Sequence, residues 1–248
     1  MQATVNRKKA VYAIIPAAGT GSRMKTSQNK PFLQVGRFPV IIRTLRIFES
    51  HPRIDGFLIV AREDEVTAMA QLVAQYELDK CLGVVPGGKT RTLSVMNGLD
   101  ALKRTIKSAE DSLVVVHDGA RCFVTPDVIS RVITGIETFG ACGAAVAVHD
   151  TIKRISVDGR VLGTLPRSRL RAMQTPQGST FDRLYTAYRQ VIEKGLTATD
   201  DLAVLEEAGI PVYLVEGDFQ NLKLTTPEDR LLAERLAATI DGDVEPAD

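Results

Sequence analysis

Ala10-Val11-Tyr12-Ala13-Ile14-Ile15 runs straight into Pro16-Ala17-Ala18-Gly19-Thr20-Gly21-Ser22-Arg23-Met24, and this stretch decides the fold. An apolar run with no polar alternation reads as a strand covered on both faces, as in the parallel sheets of α/β proteins. The loop behind it is made of small residues, over which a ligand can approach the backbone closely. Its amide groups, with Arg23 and Lys30 close behind, suit a polyphosphate. The spacing is not the dinucleotide fingerprint, because Met24 stands where G-x-G-x-x-G needs its third glycine. No Gly-Lys-Ser/Thr follows, so it is not a Walker A loop either. The plainer alternative is an ordinary strand-to-loop turn with solvated cations.

Outward from this stretch, strand-like and helix-like runs alternate. Val40 to Phe48 has apolar residues at helical spacing, and Gly56 to Ala61 is a buried strand. Helices are expected over Glu65–Tyr76 and Thr92–Leu102, with a short strand at Gly83–Val85 between them. Leu113-Val-Val-Val116 is the clearest strand. Thr125-Pro126 then starts a helix, with Thr as N-cap and Pro at its first position. Ala144 to Val148 returns as a strand. This rhythm predicts an α/β fold with a mostly parallel sheet and helices on both faces. Ligands in such sheets sit beyond the carboxyl ends of strands, at the loops after Ile15, Val85, Val116 and Val148.

The rhythm breaks between Asp150 and Gln177. Two short runs there, Ile152–Val157 and Arg160–Leu165, flank Asp158-Gly159, a strong hairpin signal. The excursion, about 150–177, is rich in arginine and too poor in apolar residues to fold alone. It is either a loose surface hairpin or an arm that packs on another subunit. Helices follow at Phe181–Lys194 and Asp200–Ala208, then a strand at Val212–Glu216 and an extended run at Asn221–Thr225. Thr226-Pro227-Glu228-Asp229 caps a final helix.

All 248 residues are expected to form one domain with a frayed acidic tail at about 241–248. The 31 basic and 30 acidic residues nearly cancel, which excludes a generic nucleic-acid or membrane-surface binder. Cys81, Cys122 and Cys142 are odd in number and widely spaced, as in the reduced thiols of a cytoplasmic protein. The apolar run near the N-terminus is too short for a membrane span.

Two rival motifs need an answer. Gly83-Val-Val-Pro-Gly-Gly88-Lys89-Thr90 fits G-x-x-x-x-G-K-[ST] letter for letter, so a P-loop NTPase is a real alternative. Context opposes it. The first glycine of a P-loop follows its strand, whereas Gly83 precedes the apolar pair Val84-Val85. Ser94, His117 and Asp118 could be assembled into a hydrolase triad, but no G-x-S-x-G surrounds Ser94. Neighbours on a strand also point to opposite faces. His51 and His149 stand alone, with no zinc spacing.

Seven motifs occur in order: Pro16-Ala-Ala-Gly-x-Gly-x-Arg23-Met24 with Lys30-Pro31; Gly87-Gly88-x-x-Arg91-x-x-Ser94; His117-Asp118-Gly119-Ala120-Arg121; Asp150-Thr151-Ile-Lys153; Gln174-Thr175-Pro-Gln177; Thr199-Asp200-Asp201; and Asn221-Leu-Lys223-Leu-Thr225-x-Pro227. Over roughly residues 10–235 the chain resembles the bacterial methylerythritol phosphate cytidylyltransferases of isoprenoid precursor synthesis. The ribitol phosphate cytidylyltransferases share most of these motifs, and the Pro-Ala-Ala start favours the methylerythritol branch. A catalytically dead nucleotide-binding relative is the third reading, opposed by the presence of Arg23, Lys30, Asp118 and Lys223. Three positions depart from the family pattern: Lys89 stands where an acid is common, Cys122 where proline is usual, and Asp201 where Glu usually ends its motif.

The resemblance implies a Rossmann-like nucleotidyltransferase sheet with a protruding β-hairpin dimerisation arm. It also implies CTP and a sugar-alcohol phosphate as substrates, Mg²⁺ held mainly by the CTP phosphates, and a homodimer that exchanges arms. By the same resemblance, Arg23 and Lys30 stabilise the transition state, while Arg167 and Lys223 align the sugar phosphate. Pro16, Ala17, Ala18, Gly19, Thr20, Gly21, Gly88, Lys89, Ser94, Asp118 and Gly119 hold the nucleotide. Ala120, Arg121, Thr151, Thr175 and Thr199 face the sugar phosphate, and Asp118 is the one candidate metal ligand.

Overall fold

A computed structural model of the chain describes residues 9–19 and 29–242. In chain order it has β1 (Val11–Pro16), β2 (Gln34–Val35), β3 (Phe38–Pro39), α1 (Val40–Ser50), β4 (Gly56–Ala61), α2 (Val66–Gln75), β5 (Cys81–Pro86) and α3 (Arg91–Thr105). There follow β6 (Leu113–Val116), α4 (Pro126–Phe139), β7 (Ala141–Ala147), β8 (Lys153–Ile155), β9 (Val161–Thr164) and β10 (Arg171–Thr180). The chain continues through α5 (Phe181–Glu193), α6 (Asp201–Glu207), β11 (Tyr213–Glu216) and α7 (Pro227–Ile240).

Among the described residues seven strands form the main sheet, in the order β11-β7-β10-β6-β1-β4-β5. All run parallel except β10, which is antiparallel to both its neighbours. The strand period of two explains how one apolar run serves two layers. Leu113 and Val115 pack toward α1 and α4, whose Ile41, Leu45, Ile129 and Val132 share their cluster. Val114 and Val116 pack on the other side with Val95 and Leu99 of α3, and with Phe181 and Tyr188 of α5. A third cluster joins Leu33 and Val35 to Leu224, Ala233 and Ala237, seating α7 over the β2–β3 ribbon.

Polar caps set the helix starts. The side chains of Thr90, Thr125 and Asp200 accept from the backbone N–H groups of Leu93, Val128 and Ala203. Thr226 and Asp229 form a reciprocal capping box at α7. At the other end of α4, Gly140 closes the helix at φ +89°, where a side chain would be strained.

Two expectations need correction. The segment from Arg171 onward does not belong to the excursion. It is β10, which fills the sheet between β6 and β7 with an irregularity between Met173 and Gln177. The excursion's ribbon is confined to β8 and β9, turning at Asp158-Gly159 with Gly159 at φ +87°. Second, Asp241 is not frayed: its carboxylate pairs with the buried Arg43 and accepts from the Arg37 N–H at 3.3 Å. The Asn221–Thr225 run lies outside any strand, and Leu224 N–H donates to the Ala120 carbonyl at 3.0 Å. The remainder of the tail, 243–248, lies outside the described residues. No described helix is long and apolar enough to cross a membrane.

Candidate active site

A cavity of about 420 Å³ opens at the carboxyl ends of β1, β5 and β6. Of the residues singled out in the sequence, Pro16, Ala17, Ala18, Gly19, Lys30, Gly88, Lys89, Ser94, Asp118, Gly119, Ala120 and Lys223 all line it. Thr20, Gly21 and Arg23 lie outside the described residues.

The wall contributed by the β5–α3 turn needs glycine because of its neighbours. A Cβ on Gly87 would sit 2.6 Å from the Ala18 Cβ, and one on Gly88 would sit 2.4 Å from the Leu93 Cβ. The turn is pinned from three sides. Gly87 N–H donates to Ala61 O at 2.7 Å, Gly88 N–H donates to Ser94 Oγ at 3.0 Å, and Ser94 Oγ donates to Thr90 O at 2.9 Å. Ser94 is thus occupied in shaping the turn, which removes it from any hydrolase triad. The P-loop reading fails on the same ground. Gly83 lies within edge strand β5, opposite Leu58, and Thr90 caps α3.

The floor is the 117–121 turn after β6. His117 is fully buried: its Nε2 meets the Arg121 carbonyl at 3.0 Å and its Nδ1 meets Thr175 Oγ1 at 3.1 Å. Nε2 therefore carries the proton and donates to the carbonyl, while Nδ1 accepts from the Thr175 hydroxyl. The Asp118 N–H donates to the same hydroxyl oxygen at 3.0 Å. Thr175, expected to touch the sugar phosphate, is instead buried behind the floor and braces it.

Asp118 is the electrostatic centre. Its Oδ2 is 2.7 Å from Lys223 Nζ, its Oδ1 is 3.3 Å from Arg91 Nη2, and Arg121 Nε stands 3.9 Å from Oδ2. Burial disfavours its charge, but the Arg91 and Lys223 charges prevail and hold the carboxyl well below the usual carboxylate range. Arg121 lies behind the pocket wall and donates to the carbonyls of Asn221 at 2.7 Å and Met173 at 3.3 Å. It thereby holds the segment that carries Lys223 against the floor. Cys122, the departure next to it, packs in the apolar cluster under α7, where burial pushes its thiol up to about 12.

Thr151, Arg167 and Thr199 are exposed and are not brought to this cavity. The Arg167 guanidinium donates to the His149 carbonyl at the root of the ribbon. Sequence reasoning gave no role to Arg91, which lines the cavity, or to Asp201, which grips it at 2.7 and 2.8 Å. The motif containing Arg91 was visible. The partner that fixes it is 110 residues away in the chain, with no local signal.

For a divalent metal, Asp118 is the one carboxylate lining the cavity among the described residues, and no group of three His, Cys, Asp or Glu among them could hold an ion. That donor set fits a hard cation bound mainly by ligand phosphates and unfit for a site made by protein alone.

The model of the family described as 2-C-methyl-D-erythritol 4-phosphate cytidylyltransferase matches residues 11–238. Enzymes of that name from Bacillus licheniformis and Clostridium acetobutylicum are 40% and 42% identical, covering 90% of this chain in each case and 94% and 96% of their own lengths. The crystal structure of the Thermus thermophilus enzyme superposes with a TM-score of 0.72 at 33% identity, over 93% of this chain and all of that one. That of 4-diphosphocytidyl-2C-methyl-D-erythritol synthase from Anaerococcus prevotii gives 0.80 at 30% identity, over 92% and 96%.

Proposed function

The chain belongs to the 2-C-methyl-D-erythritol 4-phosphate cytidylyltransferase family, and from that premise we propose how its own residues carry the reaction. The enzyme transfers the cytidylyl group of CTP to 2-C-methyl-D-erythritol 4-phosphate, releasing pyrophosphate, in isoprenoid precursor synthesis. The P-loop and ribitol phosphate readings give way to it.

An oxygen of the sugar phosphate attacks the α-phosphate of CTP in line with the departing pyrophosphate. A phosphate monoester is already ionised at neutral pH, so no strong base is needed. Catalysis is positioning and neutralisation of charge that builds on the α-phosphate and the leaving group. Backbone amides of the loop that begins at Ala17–Gly19 cradle the triphosphate, and Thr20 and Gly21 are assigned to the same task by their place in the motif. Lys30, at the rim, and Arg23 supply the charge that grows in importance as the α-phosphate becomes crowded. The pinned turn at Gly88 and Ser94 reads the cytosine, with Lys89 beside it, and Asp118 faces the ribose or the metal. A divalent metal held mainly by the triphosphate oxygens would have Asp118 as its nearest protein carboxylate and would supply further neutralisation.

Lys223 and Arg167 align the incoming phosphate. Lys223 is held over the floor by Asp118, with Ala120 in the same lining and Arg121 bracing the segment of Lys223 from behind. Arg167, with Thr151, comes from the arm of a second copy in a homodimer. The apolar residues Ile155, Val157, Val161 and Leu162 are exposed on the ribbon, as an arm that clasps its twin requires. Thr199, exposed and outside the cavity lining, is assigned to the sugar phosphate on the family resemblance of its motif. One domain in the cytoplasm is the setting that the composition favours.

The observation that carries this reading is the convergence of four motifs, distant in sequence, on one cavity at the strand ends, with Asp118 and Lys223 2.7 Å apart at its floor. Pyrophosphate release from CTP, measured with methylerythritol phosphate and with ribitol phosphate, tests it. Turnover with the first substrate is expected. Turnover with the second alone, or equal turnover of ATP in place of CTP, would overturn it.

A further inference from the structure

Arg91 bridges two carboxylates that hold it unequally. Its Nη1 and Nη2 meet Asp201 Oδ1 and Oδ2 at 2.8 and 2.7 Å, a planar fork on a fully buried carboxylate. Toward Asp118 the same guanidinium is looser, with Nη2 and Nε 3.3 and 3.4 Å from Oδ1. The other oxygen of Asp118 is left to Lys223, whose Nζ is 2.7 Å away. Resting on the assignment of Lys223 to the incoming phosphate, we infer that Asp201 is a positioning residue that sets Lys223 through Arg91 and Asp118.

Asp201 does not line the cavity, and its surroundings are built to fix it. The Tyr188 hydroxyl donates to its Oδ1. Its own N–H and that of Leu202 both donate to Gln177 Oε1 at 2.9 Å, which anchors the first turn of α6 to β10. A carboxylate so placed has one orientation, and it presents both oxygens to Arg91. With two N–H groups committed there in one plane, Arg91 turns only its Nε edge and a shared Nη2 toward Asp118, and both reach Oδ1. Without Asp201, the fork would be free to close on both oxygens of Asp118. It would then compete for the acceptor that Lys223 uses. The Lys223 side chain is 40% exposed, so it extends into the open cavity from this single anchor. The plainer account makes Asp201 a staple between α3, α5 and α6, with no special connection to Lys223.

A double-mutant cycle separates the two, because Asp201 and Lys223 act on each other only through Arg91 and Asp118. The readout is kcat/KM for methylerythritol phosphate at saturating CTP. We expect Lys223→Ala to lower it about a hundredfold and Asp201→Asn about tenfold. If the inference holds, the double variant lies within about twofold of Lys223→Ala. Losses that multiply to about a thousandfold overturn it and leave the staple. Normal activity in Lys223→Ala removes the Lys223 assignment, and the inference falls with it. Tyr188→Phe deletes only the hydroxyl and serves if Asp201→Asn does not fold. Its loss, about threefold, should vanish in the Lys223→Ala background and should persist there if Asp201 is a staple.

Discussion

Protonation of His117 should unfold the floor of the site, and the size of the effect follows from its surroundings. Burial lowers its pKa to about 4 from an ordinary 6.5, and the nearby Arg121 carbonyl and Asp118 carboxylate restore only part. The reason is visible in the bonds. A second proton would have to sit on Nδ1, which already accepts from Thr175, whose oxygen in turn accepts from the Asp118 N–H. Between about pH 4 and 6.5 the unfolded chain binds this proton and the native chain does not, so stability rises with pH across that window and is lost as pH falls. A gap of about 2.5 pH units corresponds to about 3 kcal/mol, of which about 2 kcal/mol is lost between pH 7 and pH 4.5. Against a typical domain stability of about 5–15 kcal/mol this is readily measured. Urea unfolding of the wild type and of His117→Gln at those two pH values gives four free energies. His51, whose pKa is also lowered by burial, and the carboxylates cancel in the comparison. The wild type should lose about 2 kcal/mol more than the variant on acidification. Equal pH dependence in the two proteins would refute the account of a neutral histidine bracing the floor.

Gly88→Ala should raise the KM for CTP and lower stability by about 1–3 kcal/mol, because the new methyl meets the Leu93 Cβ at 2.4 Å and forces the turn off Ser94. An unchanged melting temperature and KM would show that the turn yields freely. Lys30→Ala and Arg23→Ala should each lower kcat about a hundredfold while CTP binding changes little, as titration of CTP against each variant will show. CTP should be strongly preferred over ATP and GTP, with UTP the sharper comparison because it differs at the hydrogen-bonding edge beside Lys89. Homodimers of Arg167→Ala and of Lys223→Ala should be nearly inactive, and mixed dimers should regain activity at one of two composite sites. If subunit exchange is verified and no activity returns, Arg167 does not act across the interface.

Local physics made much of this protein legible from its sequence. The unbroken apolar runs at Val11–Ile15 and Leu113–Val116 fixed the two central parallel strands, since a strand buried on both faces has no polar alternation. Thr125-Pro126 and Thr226-Pro227 marked helix starts within a residue, because a cap acts on N–H groups two or three positions ahead. The ordered motifs pointed to the family, and most of the pocket-lining residues were named from them. What the sequence could not show depended on partners far along the chain. Much of β10 reads as the end of the polar excursion, with Pro176 inside it and Gln174, Thr175 and Gln177 where a core strand would be apolar. These side chains are buried because Asp218, His117 and the first turn of α6 satisfy them, and only tertiary folding brings those groups near. Asp241 looked like part of a frayed acidic tail until Arg43, 198 residues away, proved to be its partner. Asp201 sits beside a helix cap in sequence and under the active site in space. A local pattern determines where a strand or helix begins, whereas the cost of burying a charge is settled by whichever opposite charge the fold delivers to it.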